Sequence, residues 1–116
     1  MKKFLAIYLG TAESFAKYKA LDEKMRKERD TSGMGAWMKW MTDNKMSIVD
    51  SGTPLGKTKR ISAQGISDTK NEIGAYTVVQ AESHEEAAKL FINHPHFMIF
   101  PGDSVEVMEC LPMPEM

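Results

Sequence analysis

The chain has 116 residues, 42% of them apolar and 27% charged, with a net charge of −1. That length suits one domain, the composition is that of a globular chain rather than a disordered one, and the charge balance lacks the basic excess of a nucleic-acid-binding surface. A lone cysteine, Cys110, has no internal disulfide partner and fits a reducing compartment, so the cytoplasm is the expected location.

Residues 3–9 alternate as a strand, with Leu5, Ile7 and Leu9 on one face and Phe4, Ala6 and Tyr8 on the other. The preceding Lys2 and Lys3 do not make this a secretory leader, because the apolar run is too brief, and no segment approaches the ~20 apolar residues of a membrane helix. No membrane partner is expected. Phe15, Tyr18, Leu21 and Met25 recur at helical spacing over 12–30. Asp30-Thr31-Ser32-Gly33 reads as a break, and Ser32 as the cap of a second helix near 34–44 bearing Met34, Trp37, Met38 and Met41. The two segments form a pair or one bent helix.

Ile48 and Val49 make a short apolar step before the turn residues 51–56. A strand is expected over 58–64, a polar loop over 67–74 and a strand over 75–82. Ser83-His84-Glu85-Glu86 is a capping box opening a helix to about Asn93, which Pro95 ends. A loop over 96–103 and a strand over 104–111 complete one domain, 1–116, with its core in 3–111 and a fraying tail at 112–116. The order predicts an α+β chain with a mainly antiparallel sheet, in the ferredoxin-like β-α-β-β-α-β plan. That plan covers one sheet face with helices, yet strand 3–9 is apolar on both. A second copy of the chain is the expected cover, hence a homodimer.

Several segments carry a resemblance: Gly52-Thr53-Pro54-Leu55-Gly56-Lys57-Thr58-Lys59-Arg60, Thr69 to Tyr76, Ala81 to Ala87, Asn93-His94-Pro95-His96-Phe97 and Ser104 to Met108. Over about residues 3–111 the chain resembles the YCII-related proteins, in their DGPF-like branch, of the dimeric α/β-barrel superfamily. The resemblance implies a dimeric α/β barrel. It implies no particular activity, although relatives in the superfamily carry out cofactor-free proton transfers on small aromatic or lactone-like compounds. The position of the namesake Asp-Gly-Pro-Phe is held by Ala63-Gln64-Gly65-Ile66, which keeps none of the four residues. Many relatives pair an aspartate with a histidine on the first helical region, whereas this chain has no histidine before His84.

His94 and His96 flank Pro95. Imidazole titrates near neutral pH, so either can act as acid or base, with Pro95 stiffening the chain between them. The competing reading makes His94 a helix C-terminal residue and His96 a loop residue. Asp68 is the carboxylate candidate for a base, set against a turn-forming aspartate. Lys57 and Arg60 suit a carboxylate or phosphate, or else guard a solvated edge strand. Trp40, less committed to the apolar stripe than Trp37, is the pocket-facing indole, and Tyr76 offers a hydroxyl above the sheet. Cys110 reads as a small buried residue without an activating neighbour. Three histidines and one cysteine are few for a zinc site, so neither a metal nor a cofactor is expected.

Three functions remain open. The first is binding of a small molecule in a pocket between helices and sheet. The second is a cofactor-free, isomerase- or lyase-like enzyme using His94, His96 or Asp68. The third is a purely structural interaction dimer.

Overall fold

Alternation along the first segment sets the centre of the molecule. In the computed structural model, which describes residues 1–114, strand β1 runs Lys2–Leu9 and buries Phe4, Ala6 and Tyr8 on one face. β5, Ile73–Ala81, pairs with it antiparallel, setting Phe4 opposite Val79 and Ala6 opposite Thr77. β6, Ser104–Glu109, pairs on the other side, with Ala6 opposite Val107. β2, Ile48–Asp50, joins the outer side of β5, so the sheet order is β2-β5-β1-β6. All neighbours are antiparallel and helices link β1 to β2 and β5 to β6, which is the ferredoxin-like sandwich. The second core strand is the short step at Ile48, not the segment 58–64.

That later segment instead forms a separate hairpin, β3 Thr58–Ser62 with β4 Gly65–Thr69. The expected polar loop over 67–74 thus begins as a strand. Its polarity misleads because this hairpin stands off the main sheet and buries neither face, so no apolar alternation marks it. The molecule measures 56 × 42 × 18 Å with a radius of gyration of 16.2 Å, against roughly 13 Å for a compact chain near this length.

The helical region breaks earlier than expected. α1 covers Ala12–Lys19 and α2 covers Glu23–Asp43, so Asp30 to Gly33 lie inside a helix and the break falls at 20–22. Asp22, not Ser32, caps α2 by accepting a hydrogen bond from the Lys24 N–H. Gly33 is tolerated for its smallness, because a Cβ there would sit 2.5 Å from the Phe100 ring. α3, His84–Lys89, is capped as expected by Ser83, which accepts from the Glu86 N–H. It stops short of Asn93, which turns the chain with φ 59. Pro95 opens the next helix, α4 Pro95–Met98, at the position where its missing N–H costs nothing.

The core forms between the helices and the Phe4 face. Val79, Ala81, Ala87 and Phe91 complete it, with Trp37, Trp40 and Leu90 packed against its rim. The other sheet face is different. Leu5 and Ile7 with Tyr76 and Val78 are only half-buried, and Met108 is 40% exposed. Cys110, expected inside, is exposed, because the chain leaves β6 before it. No helix among the described residues is long and apolar enough to cross a membrane. The expected tail is irregular from 112 to 114, and 115–116 lie outside the described residues.

Candidate functional site

Three chain segments meet at the end of β1: the turn 93–96, the loop 100–103 and the loop after β2. His94 caps α4, its Nδ1 accepting the His96 N–H at 3.0 Å. An accepting Nδ1 places the proton on Nε2. That Nε2 is buried without a hydrogen-bond partner, enclosed by aromatic rings. Trp37 stands edge-on at 4.5 Å and 89°, Trp40 at 4.6 Å and 71°, and Tyr8 tilts at 5.1 Å. Burial pushes the His94 pKa down from 6.5 to about 4, and His96 adds to the shift. His94 is therefore neutral at pH 7 and acts as a cap and as core. It is not the C-terminal residue of a helix, and it lines neither cavity beside His96.

His96 is placed differently. Its Nε2 lies 2.8 Å from the Leu9 carbonyl, which only accepts, so Nε2 carries the proton and Nδ1 is the basic nitrogen. Burial lowers its pKa, opposed by backbone hydrogen bonding at Leu9 and Ser104 and by the Asp103 charge. Gly102 makes room for the ring, since a Cβ there would come within 2.2 Å of it. Asp103 fixes the adjoining loop to α1, accepting from Thr11 N–H and Ser14 Oγ, both at 2.6 Å. Those two bonds, Ser14 first, hold its carboxyl below the usual carboxylate range.

A cavity of about 560 Å³ opens beside His96. α2 supplies Met34, Trp37, Met38 and Met41 to its wall, and Phe15 and Phe100 close one end. On the sheet side lie Tyr8 and Thr77, joined by a 2.9 Å hydrogen bond. Thr77 Oγ1 in turn donates to the Ser51 carbonyl at 3.2 Å, so Tyr8 is the donor to Thr77. Burial raises the Tyr8 pKa to about 12, which keeps that hydroxyl protonated. A second cavity of about 610 Å³ shares Phe15, Gly74, His96 and Phe100 and adds Lys70 and Glu72. His96 thus lines both chambers, and the second adds Lys70 and Glu72 to a wall that is still largely apolar. Among the described residues, no three histidine, cysteine or acidic side chains gather as metal ligands.

Of the residues singled out in the sequence, the geometry brings His96 and Tyr76 to this cavity. Tyr76 pairs with Ile7, however, so its ring belongs to the opposite sheet face. The tryptophans exchange the expected places. Trp40 is fastened to the Leu90 carbonyl through Nε1 at 2.7 Å, and Trp37 lines the cavity. Lys57, Arg60 and Asp68 lie on or beside the hairpin, and none lines either His96 cavity. Asp68 sits within a strand, exposed and bonded to Lys59 across the ladder, not in a turn. Phe100, Thr77 and Tyr8 had no individual signal, but the Met34-Trp37-Met38-Met41 stripe marked the wall.

No family model and no curated protein matches the chain. Among solved structures it is similar to 5-chloro-2-hydroxyhydroquinone dehydrochlorinase from Burkholderia phenoliruptrix, in complex with 2,5-dihydroxybenzoquinone. The TM-score is 0.53 at 17% identity, over 90% of this chain and 89% of that one. What the two share is the α+β fold, an antiparallel sheet with its helices. At that identity the likeness speaks for architecture, and the chemistry rests on the residues just described.

Proposed function

We propose that this chain is a YCII-related protein of the DGPF-like branch that binds a flat, largely apolar small molecule in the His96 cavity. The observation that carries the reading is the wall itself. Trp37, Phe15, Phe100 and three methionines line a space of about 560 Å³ whose one imidazole has its pKa lowered by burial. Such a chamber suits a planar ring, with His96 and the chamber's few hydroxyls to orient it. The similar structure holds a dihydroxybenzoquinone, a molecule of that shape.

The test is a thermal-shift and tryptophan-fluorescence titration with hydroxylated benzoquinones, 2,5-dihydroxybenzoquinone first. A bound ligand at 100-fold its Kd should add about 2.7 kcal/mol of stability. Quenching should be saturable in the wild type and largely lost in Trp37→Phe, while Trp40→Phe keeps it. Quenching carried by Trp40, or no saturable response across the ring compounds, overturns the assignment.

A second reading, cofactor-free proton transfer, is favoured by the single basic nitrogen of His96. Leu9 holds Nε2–H, so a substrate proton would pass to Nδ1 and the carbonyl would stabilise the imidazolium. His96→Gln retains an N–H for Leu9 and removes the base. In the catalytic reading this variant binds ligand but loses turnover by about 100-fold or more; unchanged turnover would end that reading.

The homodimer belongs to the same proposal. The half-buried Leu5, Ile7, Tyr76 and Val78 face is what a second sheet would cover. Ile7→Glu is expected to give a folded monomer by sedimentation where the wild type is a dimer. A wild-type monomer at micromolar concentration contradicts this part of the reading.

A further inference from the structure

We propose that the β3–β4 hairpin is a clasp that lies along β6 of a second copy of the chain. This rests on the homodimer reading and adds which edges meet. The hairpin leaves the main sheet at its β2 edge, just beyond the last pairing there, Pro54 with Ala75. Near its tip Ile61 is paired with Ile66, and the two are 73% and 74% exposed. A lone two-stranded ribbon is marginal in water, and an apolar pair at its tip is a surface to be covered.

Charge identifies what covers it. Residues 56–70 hold Lys57, Lys59, Arg60 and Lys70 against one acid, Asp68, which pairs with Lys59. Lys57 and Arg60 enter no ion pair among the described residues. The opposite edge of the sheet is the reverse. Ser104 to Leu111 carries Glu106 and Glu109, both exposed, and no basic residue. Met108 and Leu111 beside them are 40% and 74% exposed.

A two-fold axis can lay one sheet on another in two ways. An axis across the strands stacks β2 on β2 and β6 on β6, bringing basic hairpins together and acidic edges together. An axis along the strands sets each β2 edge over the partner's β6 edge, so unlike charges meet at both ends. Like charges at an interface cost several kcal/mol and unlike charges guide docking. The second arrangement also gives Ile61 and Ile66 apolar neighbours on the β6 edge.

The experiment measures the dimer Kd by sedimentation equilibrium at low salt, using the full chain. Four proteins are compared: wild type, Lys57→Glu with Arg60→Glu, Glu106→Lys with Glu109→Lys, and all four changes together. These side chains are exposed, and circular dichroism checks that each variant folds. Each charge reversal alone should weaken the dimer by about tenfold or more, and the combination should return to within about threefold of wild type. A dimer whose Kd ignores either reversal, or one the combination does not rescue, overturns the clasp and leaves the dimer standing. A monomeric wild type removes both.

Discussion

Gly52→Ala is expected to cost about 3–4 kcal/mol and to lower Tm by about 10 °C or more. Gly52 has φ 72, a conformation that costs an L-residue roughly 1–2 kcal/mol. A Cβ there would also lie 1.7 Å from the Tyr76 carbonyl oxygen and 2.6 Å from its carbon. Those are backbone atoms of β5, which no side-chain rotation moves aside. The loop must shift instead, weakening the Gly52 N–H bond to Asp50 Oδ1 and the Thr77 bond to the Ser51 carbonyl. Because Ser51 to Pro54 form part of the cavity wall, ligand affinity should fall with stability. Gly35→Ala is the control. It meets nothing within 4 Å on the exposed side of α2, so it should stabilise by up to ~1 kcal/mol. Urea unfolding of both variants checks the contrast. An unshifted Gly52→Ala midpoint would mean that the loop does not pack on β5 as described.

How far the fold was legible follows from where side chains are buried. Phe4, Ala6 and Tyr8 announce β1 because the core lies on that face, and β5 is equally plain through Val79 and Thr77. The hairpin was half hidden for the opposite reason. Its strands pack on nothing, and the two-residue loop Ala63-Gln64 lacks the usual Asn-Gly signature, leaving Gly65 at φ 108 as the remaining mark. The helical break was misplaced because Gly33 serves close approach by Phe100, a ring 67 positions away in the chain. Local composition carries no record of such a partner.

The candidate site was legible as residue types rather than as roles. The His94-Pro95-His96 run marks the turn beside the cavity, yet its two imidazoles occupy different surroundings. His94 is consumed by capping and packing, and His96 lines a cavity while its Nε2 bonds the Leu9 carbonyl. The indoles divide in the same manner. Three residues of helical offset carry Trp40 to Leu90 and Trp37 to the cavity, and only the angle at which α2 crosses the sheet decides which is which. Lys57, Arg60 and Asp68 share a neighbourhood, but it is a projecting ribbon, where charge serves an interface better than an enclosed reaction.

The buried imidazole of His94 should leave its mark on acid stability. Its pKa is about 4 in the folded chain and near 6.5 when unfolded, so as pH falls the unfolded chain takes up the proton first. The contribution of a neutral His94 is complete above about pH 6.5 and is lost progressively toward pH 4, a loss of about 3 kcal/mol. His96 is shifted in the same direction and adds to the fall. His94→Asn isolates the larger part. The asparagine oxygen can occupy the place of Nδ1 and accept the His96 N–H, so α4 stays capped. The smaller side chain leaves a void among Tyr8, Trp37 and Trp40, at a cost of about 1–2 kcal/mol near neutrality. Wild type should therefore be the more stable protein near pH 7, the curves should approach one another near pH 5, and the order should reverse near pH 4. Urea denaturation at those three pH values measures it. Parallel curves would show that His94 titrates normally, and the aromatic enclosure around it would then have to be open to water.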